Sequence, residues 1–152
     1  EVTEIDRTVE LEIRTLINDT FPSHDILGEE FGEKSNGASL RWILDPIDGT
    51  QNYARRIHTF GVLIALYDGD TPLISCIDHP ALNMRLIASQ GGGTFLNNKK
   101  IVIDDFQDPI NLHNQVLAVS TPNNFQRIGS LDLLFHLLKN HGTFRVYGDC
   151  YK

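Results

Sequence analysis

Between Leu40 and Ile103 the sequence is a succession of short apolar runs separated by turn residues, and this spacing restricts the possible folds more than any other feature. Leu40–Leu44, Gly61–Tyr67, Leu73–Asp78, Met84–Ala88 and Thr94–Ile103 are strand-sized, and none is long enough to span a bilayer. Asp68-Gly69-Asp70 turns the second run back on the third, which predicts a hairpin. The last two runs extend it into an antiparallel meander, with a bend at Asn97-Asn98. Gly91-Gly92-Gly93 predicts a bulge, a turn or a close backbone contact. Pro46 lacks a backbone donor and forces Asp45 into extended geometry, so the first strand is expected to end at Asp45.

Other periodicities flank the meander. Ile5, Val9, Ile13, Leu16 and Ile17 share one helical face, predicting an amphipathic helix over Thr3–Asn18 that Phe21-Pro22 ends. Thr3 and Asp6 resemble a capping box at its start. Gly32–Ser39 reads as loop. After a connector at Asp104–Asn114, a strand (Val116–Ser120), a helix (about Gln126–Lys139) and a strand (Thr143–Tyr147) give a β-α-β order. The expected organisation is an α+β domain over residues 1–114 and the beginning of a second α/β domain over 115–152. Both ends read as cut edges, so a longer parent is expected.

Twenty acidic residues against 13 basic ones give a net charge of −7. An acidic chain without a Lys/Arg block is a poor partner for a nucleic-acid backbone, which demands a basic face. Neither a bilayer-length run nor a signal-peptide pattern is present, so no membrane partner is expected and a cytoplasmic location is. Cys76 and Cys150 match no zinc or redox spacing and fit free thiols in a reducing compartment; a single disulfide is the alternative. The six histidines are scattered, without metal-ligand pairing, and read as turn or surface positions. On so acidic a chain, an anionic substrate needs a local device such as a metal ion or a helix N-terminus.

Asp45-Pro46-Ile47-Asp48-Gly49-Thr50 offers that device. Two carboxylates three residues apart flank a rigid turn, and magnesium prefers oxygen ligands from carboxylates, carbonyls, water and phosphate. Gly49 and Thr50 begin a short helix whose first N–H groups suit a phosphate. Taken alone, an Asp-x-x-Asp fits equally well a turn in which Asp48 caps that helix. A nucleophilic-aspartate loop of the haloacid-dehalogenase type is excluded, because Pro46 stands where the nucleophile would be.

The wider pattern is more specific. Trp42-Ile43-Leu44-Asp45-Pro46-Ile47-Asp48-Gly49-Thr50-Gln51-Asn52-Tyr53 matches the signature W-x-x-D-P-[IL]-D-G-T-x-x-[FY] at every defined position. Gly28-Glu29-Glu30 and Val2-Thr3-Glu4-Ile5-Asp6 precede it in order, and Gly91–Lys100 follows as a Gly-x-Gly-x-Phe-x-Asn hairpin with Asn98 where Gly is usual. The chain therefore resembles the inositol monophosphatase family, whose layered α-β-α-β-α fold belongs to the sugar phosphatases.

The resemblance implies Mg2+-dependent hydrolysis of a small phosphate monoester by direct attack of metal-activated water. Asp45 would bridge two ions, Glu29 and Asp48 would each bind one, and the Ile47 carbonyl would complete a shell. Thr50, Asp6 and Glu29 would orient the water, although Asp6 also fits a plain helix cap. Asp48, Gly49 and Thr50 would meet the phosphate.

Arg145-Val146-Tyr147-Gly148-Asp149-Cys150-Tyr151 resembles the histidinol-phosphate phosphatase branch, with Asp-Cys where Thr-Ala is usual. Arg145, Gly148 and Asp149 would then read the leaving alcohol, Asp149 pairing with the substrate ammonium. Asp149 also fits a pair with Arg145 or a helix cap. An inositol monophosphatase, or an inactive metal-binding or oligomerisation subunit, are the alternatives. The family also implies a homodimer and a further ligand Asp in a Trp-Asp-x-x-Ala motif, which these 152 residues lack. The chain alone is accordingly expected to be weakly active or inactive.

Overall fold

The helix at the start of the described chain shows how the core is made. In the computed structural model, which describes residues 4–102, 116–119, 121–140, 143–146 and 148, α1 spans Glu4–Thr20. Its buried positions are Asp6, Glu10 and Ile17, with Ile13 packed beside them. They follow the i, i+4, i+7, i+11 spacing of one helical stripe. The apolar face expected from the sequence is therefore rotated: Ile5 and Leu16 are exposed. Carboxylates occupy the N-terminal half of the inward stripe, and hydrophobicity alone cannot reveal such a stripe. Thr3 lies outside the described residues, so the expected capping box does too.

The described strands of the first compact unit, Glu1–Val102, form an eight-stranded sheet of order β2-β1-β3-β4-β5-β6-β7-β8. These are β1 (Asp25–Gly28), β2 (Gly32–Lys34), β3 (Leu40–Asp48), β4 (Gly61–Asp68), β5 (Thr71–His79), β6 (Met84–Ser89), β7 (Gly93–Leu96) and β8 (Lys99–Ile101). From β3 to β8 every pair is antiparallel, the meander that the apolar spacing predicts. Asn97 and Asn98 both have positive φ, the requirement of a two-residue hairpin turn between β7 and β8. Gly91 and Gly92 lie in the turn between β6 and β7, and Gly93 opens β7 opposite Ser89.

Two strands depart from expectation. Gly32–Lys34 forms an edge strand rather than loop, held by antiparallel pairing to β1. β3 runs on through Pro46 to Asp48 instead of ending at Asp45. The extension is possible because the register with β4 slips between Asp45 and Asp48, so Pro46 and Ile47 stand in a bulge, where a missing donor costs no regular ladder bond. The core lies between α1 and the sheet, where Ile17, Ile26 and Leu44 pack with Ile13, Trp42 and Ile64.

The second unit, Ile103–Lys152, contains a parallel pair of strands, β9 (Val116–Val119) and β10 (Thr143–Val146). The expected domain boundary at 114/115 falls among residues outside the description. The expected single helix is two, α3 (Asn123–Arg127) and α4 (Leu131–Asn140). Gly129, at φ 68°, takes the left-handed turn that ends α3, and the Ser130 N–H donates back to the Phe125 carbonyl at 2.8 Å. The Ser130 carbonyl then accepts from Leu133 and Leu134 and starts α4. Among the described residues no helix is long and apolar enough to cross a membrane.

Candidate active site

Pairing of β1 with β3 is parallel, with Gly28 opposite Leu44. The Glu29 N–H donates to the Leu44 carbonyl at 3.2 Å. Glu29, the residue after β1, and Asp45, inside β3 just before its bulge, therefore occupy neighbouring backbone positions. Two sequence-distant acids come to adjacent places in the sheet because their strands point the same way. Sequence periodicity gives no hint of this, as β1 has only four residues.

The bulge shapes the other side of the site. Pro46, Ile47, Asp48 and Gly49 are all buried, Asp48 being 2% exposed. Gly49 has φ 83° and serves as N-cap of the short helix α2 (Thr50–Ala54). A residue with a Cβ would be strained there. The Thr50 hydroxyl lies 3.0 Å from the Ile47 carbonyl and 3.4 Å from Asp6 Oδ1. Its single proton serves one acceptor at a time, the nearer carbonyl first. Asp6, 2% exposed, is thereby tied to the 47–50 turn from α1.

The charge around this turn is predominantly negative. Burial pushes the Glu30 carboxyl above its ordinary pKa, and the carboxylates of Asp6, Glu29 and Glu10 push it further, against a small opposing effect of Arg7. Glu29 itself is exposed. An all-oxygen donor set on adjacent elements fits the chemistry of a hard divalent cation. Among the described residues, however, no three His, Cys, Asp or Glu side chains already have the spacing of a closed metal shell. The donor chemistry fits magnesium; a finished cage is not preformed.

Of the expected site residues, Asp6, Glu29, Asp45, Ile47, Asp48, Gly49 and Thr50 all belong to this end of the first unit. Arg145 and Gly148 belong to the second, where Arg145 is exposed and donates to the Phe144 carbonyl at 3.0 Å. Gly148 has φ 91°. Asp149 and Cys150 lie outside the described residues. Cys76 carries a free thiol on β5, its pKa raised by burial.

Of the histidines expected at turn or surface positions, His79 departs, while His24 stands in the bend before β1. His79 is buried, its Nδ1 2.9 Å from the Phe60 carbonyl. His24 stacks on Phe21, and its Nδ1 accepts the Trp42 indole N–H at 3.1 Å.

Sequence reasoning missed Glu10, which is fully buried and accepts N–H bonds from Glu30 at 2.8 Å and Phe31 at 3.2 Å. Arg14 balances it through Nε at 2.7 Å. The acid-then-base spacing of Glu10 and Arg14 on a predicted helix was the available signal.

The sequence profile of the inositol monophosphatase family matches residues 1–152. The histidinol-phosphatase of Mycobacterium tuberculosis is 32% identical, over 97% of this chain and 58% of its own length. The fructose-1,6-bisphosphatase/inositol-1-monophosphatase of Aquifex aeolicus is 34% identical, over 68% of this chain and 39% of its own. In three dimensions the chain is similar to the extragenic suppressor protein suhB of Bartonella henselae, with a TM-score of 0.86 at 26% identity, covering 97% of this chain and 57% of that one. The chain thus spans roughly half the length of the proteins it matches.

Proposed function

Since the chain belongs to the inositol monophosphatase family, we propose that it carries the metal-binding half of a phosphatase that hydrolyses histidinol phosphate to histidinol and phosphate. The observation that carries the phosphatase reading is the parallel register that sets Glu29, just after β1, beside Asp45 of β3, next to the buried Asp48 turn. Glu29, Asp45, the Ile47 carbonyl and Asp48 would hold Mg2+. When bound, Mg2+ supplies a lowered water pKa and stabilises charge on the attacking and leaving oxygens. Thr50 and Asp6, already within reach of each other, would orient the water together with Glu29. Gly49 and Thr50 bring backbone N–H groups to the phosphate.

The substrate reading rests on coverage. Sequence similarity to the histidinol-phosphatase covers 97% of this chain, whereas that to the Aquifex aeolicus enzyme covers 68%. The second unit contains Arg145, Gly148 and Asp149, which we assign to the leaving alcohol, Asp149 as partner of its ammonium. Inositol phosphate is the second reading, favoured by the 34% identity to the fructose-1,6-bisphosphatase/inositol-1-monophosphatase. A homodimer in the cytoplasm accompanies the proposal, to be tested by sedimentation and fractionation.

The deciding experiment measures phosphate release from histidinol phosphate and from inositol 1-phosphate, with Mg2+ and with chelator, on the full-length protein. Faster release from histidinol phosphate, abolished by chelator, is expected. Equal or faster turnover of inositol phosphate overturns the substrate reading, and no Mg2+-dependent turnover of either overturns the enzyme. Asp149→Thr should weaken histidinol phosphate turnover selectively.

A further inference from the structure

Glu10 takes no part in the chemistry proposed above, yet it is fully buried against the segment that carries Glu29. Its Oε2 accepts the Glu30 N–H at 2.8 Å, and its Oε1 accepts the Phe31 N–H at 3.2 Å and Arg14 Nε at 2.7 Å. Arg14 reaches on to the Gly32 carbonyl. Three consecutive residues, 30 to 32, are thus clamped from α1, while the Glu29 N–H is tied to Leu44 on the other side. We infer that Glu10 is a positioning residue for Glu29, holding the turn after β1 so that the Glu29 carboxylate faces the ion; the inference rests on the reading of Glu29 and Asp45 as ligands.

Gly28 supports this independently of the hydrogen bonds. A Cβ added there would lie 2.0 Å from Glu10 Oε1 and 2.4 Å from its Cδ. The carboxylate therefore occupies the place of a side chain at residue 28, directly before the ligand.

Stability alone is a poor reason for this arrangement. A buried ion pair often stabilises no more than apolar side chains of the same volume, and Ile13 and Ile17 pack the same stripe further along the helix. The Glu10 carboxylate also adds to the negative field felt by Glu30. What it does supply is a fixed backbone beneath Glu29, an exposed side chain with many rotamers. Backbone clamps of this kind tune metal affinity through the ligand they orient.

Mn2+, titrated against the full-length protein and read by electron paramagnetic resonance, tests the idea. Glu10→Gln should weaken Mn2+ binding by about tenfold or more. The amide protons of Glu30 and Phe31 should lose protection from exchange in the same variant. Ile26→Val, a core change that lowers stability, should leave affinity unaltered. Glu10→Asp, which keeps the charge but shortens the reach, should lie between and decides the matter if Glu10→Gln does not fold. Affinity unchanged in a folded Glu10 variant, while Asp45→Asn abolishes binding, overturns the role of Glu10 and leaves the ligand reading intact. Binding indifferent to Asp45→Asn overturns the ligand reading itself.

Discussion

Gly28 and Asp25 show how far a single residue's identity is set by its neighbours. At Gly28 the space for a Cβ is filled by the Glu10 carboxylate, with Arg14 Nη2 2.8 Å away. Gly28→Ala should displace that pair and lower stability by about 1–3 kcal/mol, measured by urea unfolding. Asp25 is buried and accepts N–H bonds from Asn36 at 2.6 Å and Ala38 at 3.3 Å, with the Ser35 hydroxyl at 3.1 Å. The Asn36 N–H does most to hold its carboxyl below the usual 3.8; burial opposes, while Ala38, Ser35 and the Arg41 guanidinium assist. A carboxyl with a depressed folded pKa adds stability above its unfolded value, lost as pH falls through the folded one. The urea midpoint of the parent should therefore drop below about pH 4, and Asp25→Asn should flatten that part of the slope. The acids of the signature were legible at this scale because Pro46 restricts the backbone between them and Gly49 permits the left-handed turn after them. Glu10 was not, since burial of a carboxylate on an amphipathic helix depends on what the opposite element offers it.

Among the elements, α2 carries the clearest local conflict. Arg56 ends it at φ 60°, and the Ile57 N–H donates back to the Asn52 carbonyl at 2.8 Å. Glycine is the usual residue at such a left-handed helix end, because a Cβ crowds the following carbonyl. Arg56→Gly should raise stability by about 1 kcal/mol in thermal or urea unfolding. The Asn52 side chain, donating to the Thr59 carbonyl at 2.8 Å, holds the loop in place in either case. β1 and β3 make the opposite point. Ile26 is fully buried on β1, and Ile26→Ala should cost about 2–5 kcal/mol, read as a lowered urea midpoint. Four residues are too few to read as a strand, so β1 is specified by the parallel neighbour that buries it. The β4–β5 hairpin was legible because its turn residues and apolar runs are contiguous in the chain.

For the whole molecule, the distribution of charge and its response to metal are the testable properties. A ligand that binds only the folded chain stabilises it by about 2.7 kcal/mol at a hundred times its Kd. Mg2+ should therefore raise the melting temperature relative to chelator, and Asp45→Asn should remove the difference. The local sequence determined the meander from β3 to β8, the helix that precedes it, and the acidic turn at Asp45–Thr50, since each depends on residues near one another in the chain. Tertiary structure alone decided the parallel alignment of β1 with β3, the bulge that lets β3 continue through Pro46, and the inward turn of Asp6 and Glu10. Those depend on which strand lies beside which and which face of α1 meets the sheet, contacts between segments that no local pattern encodes.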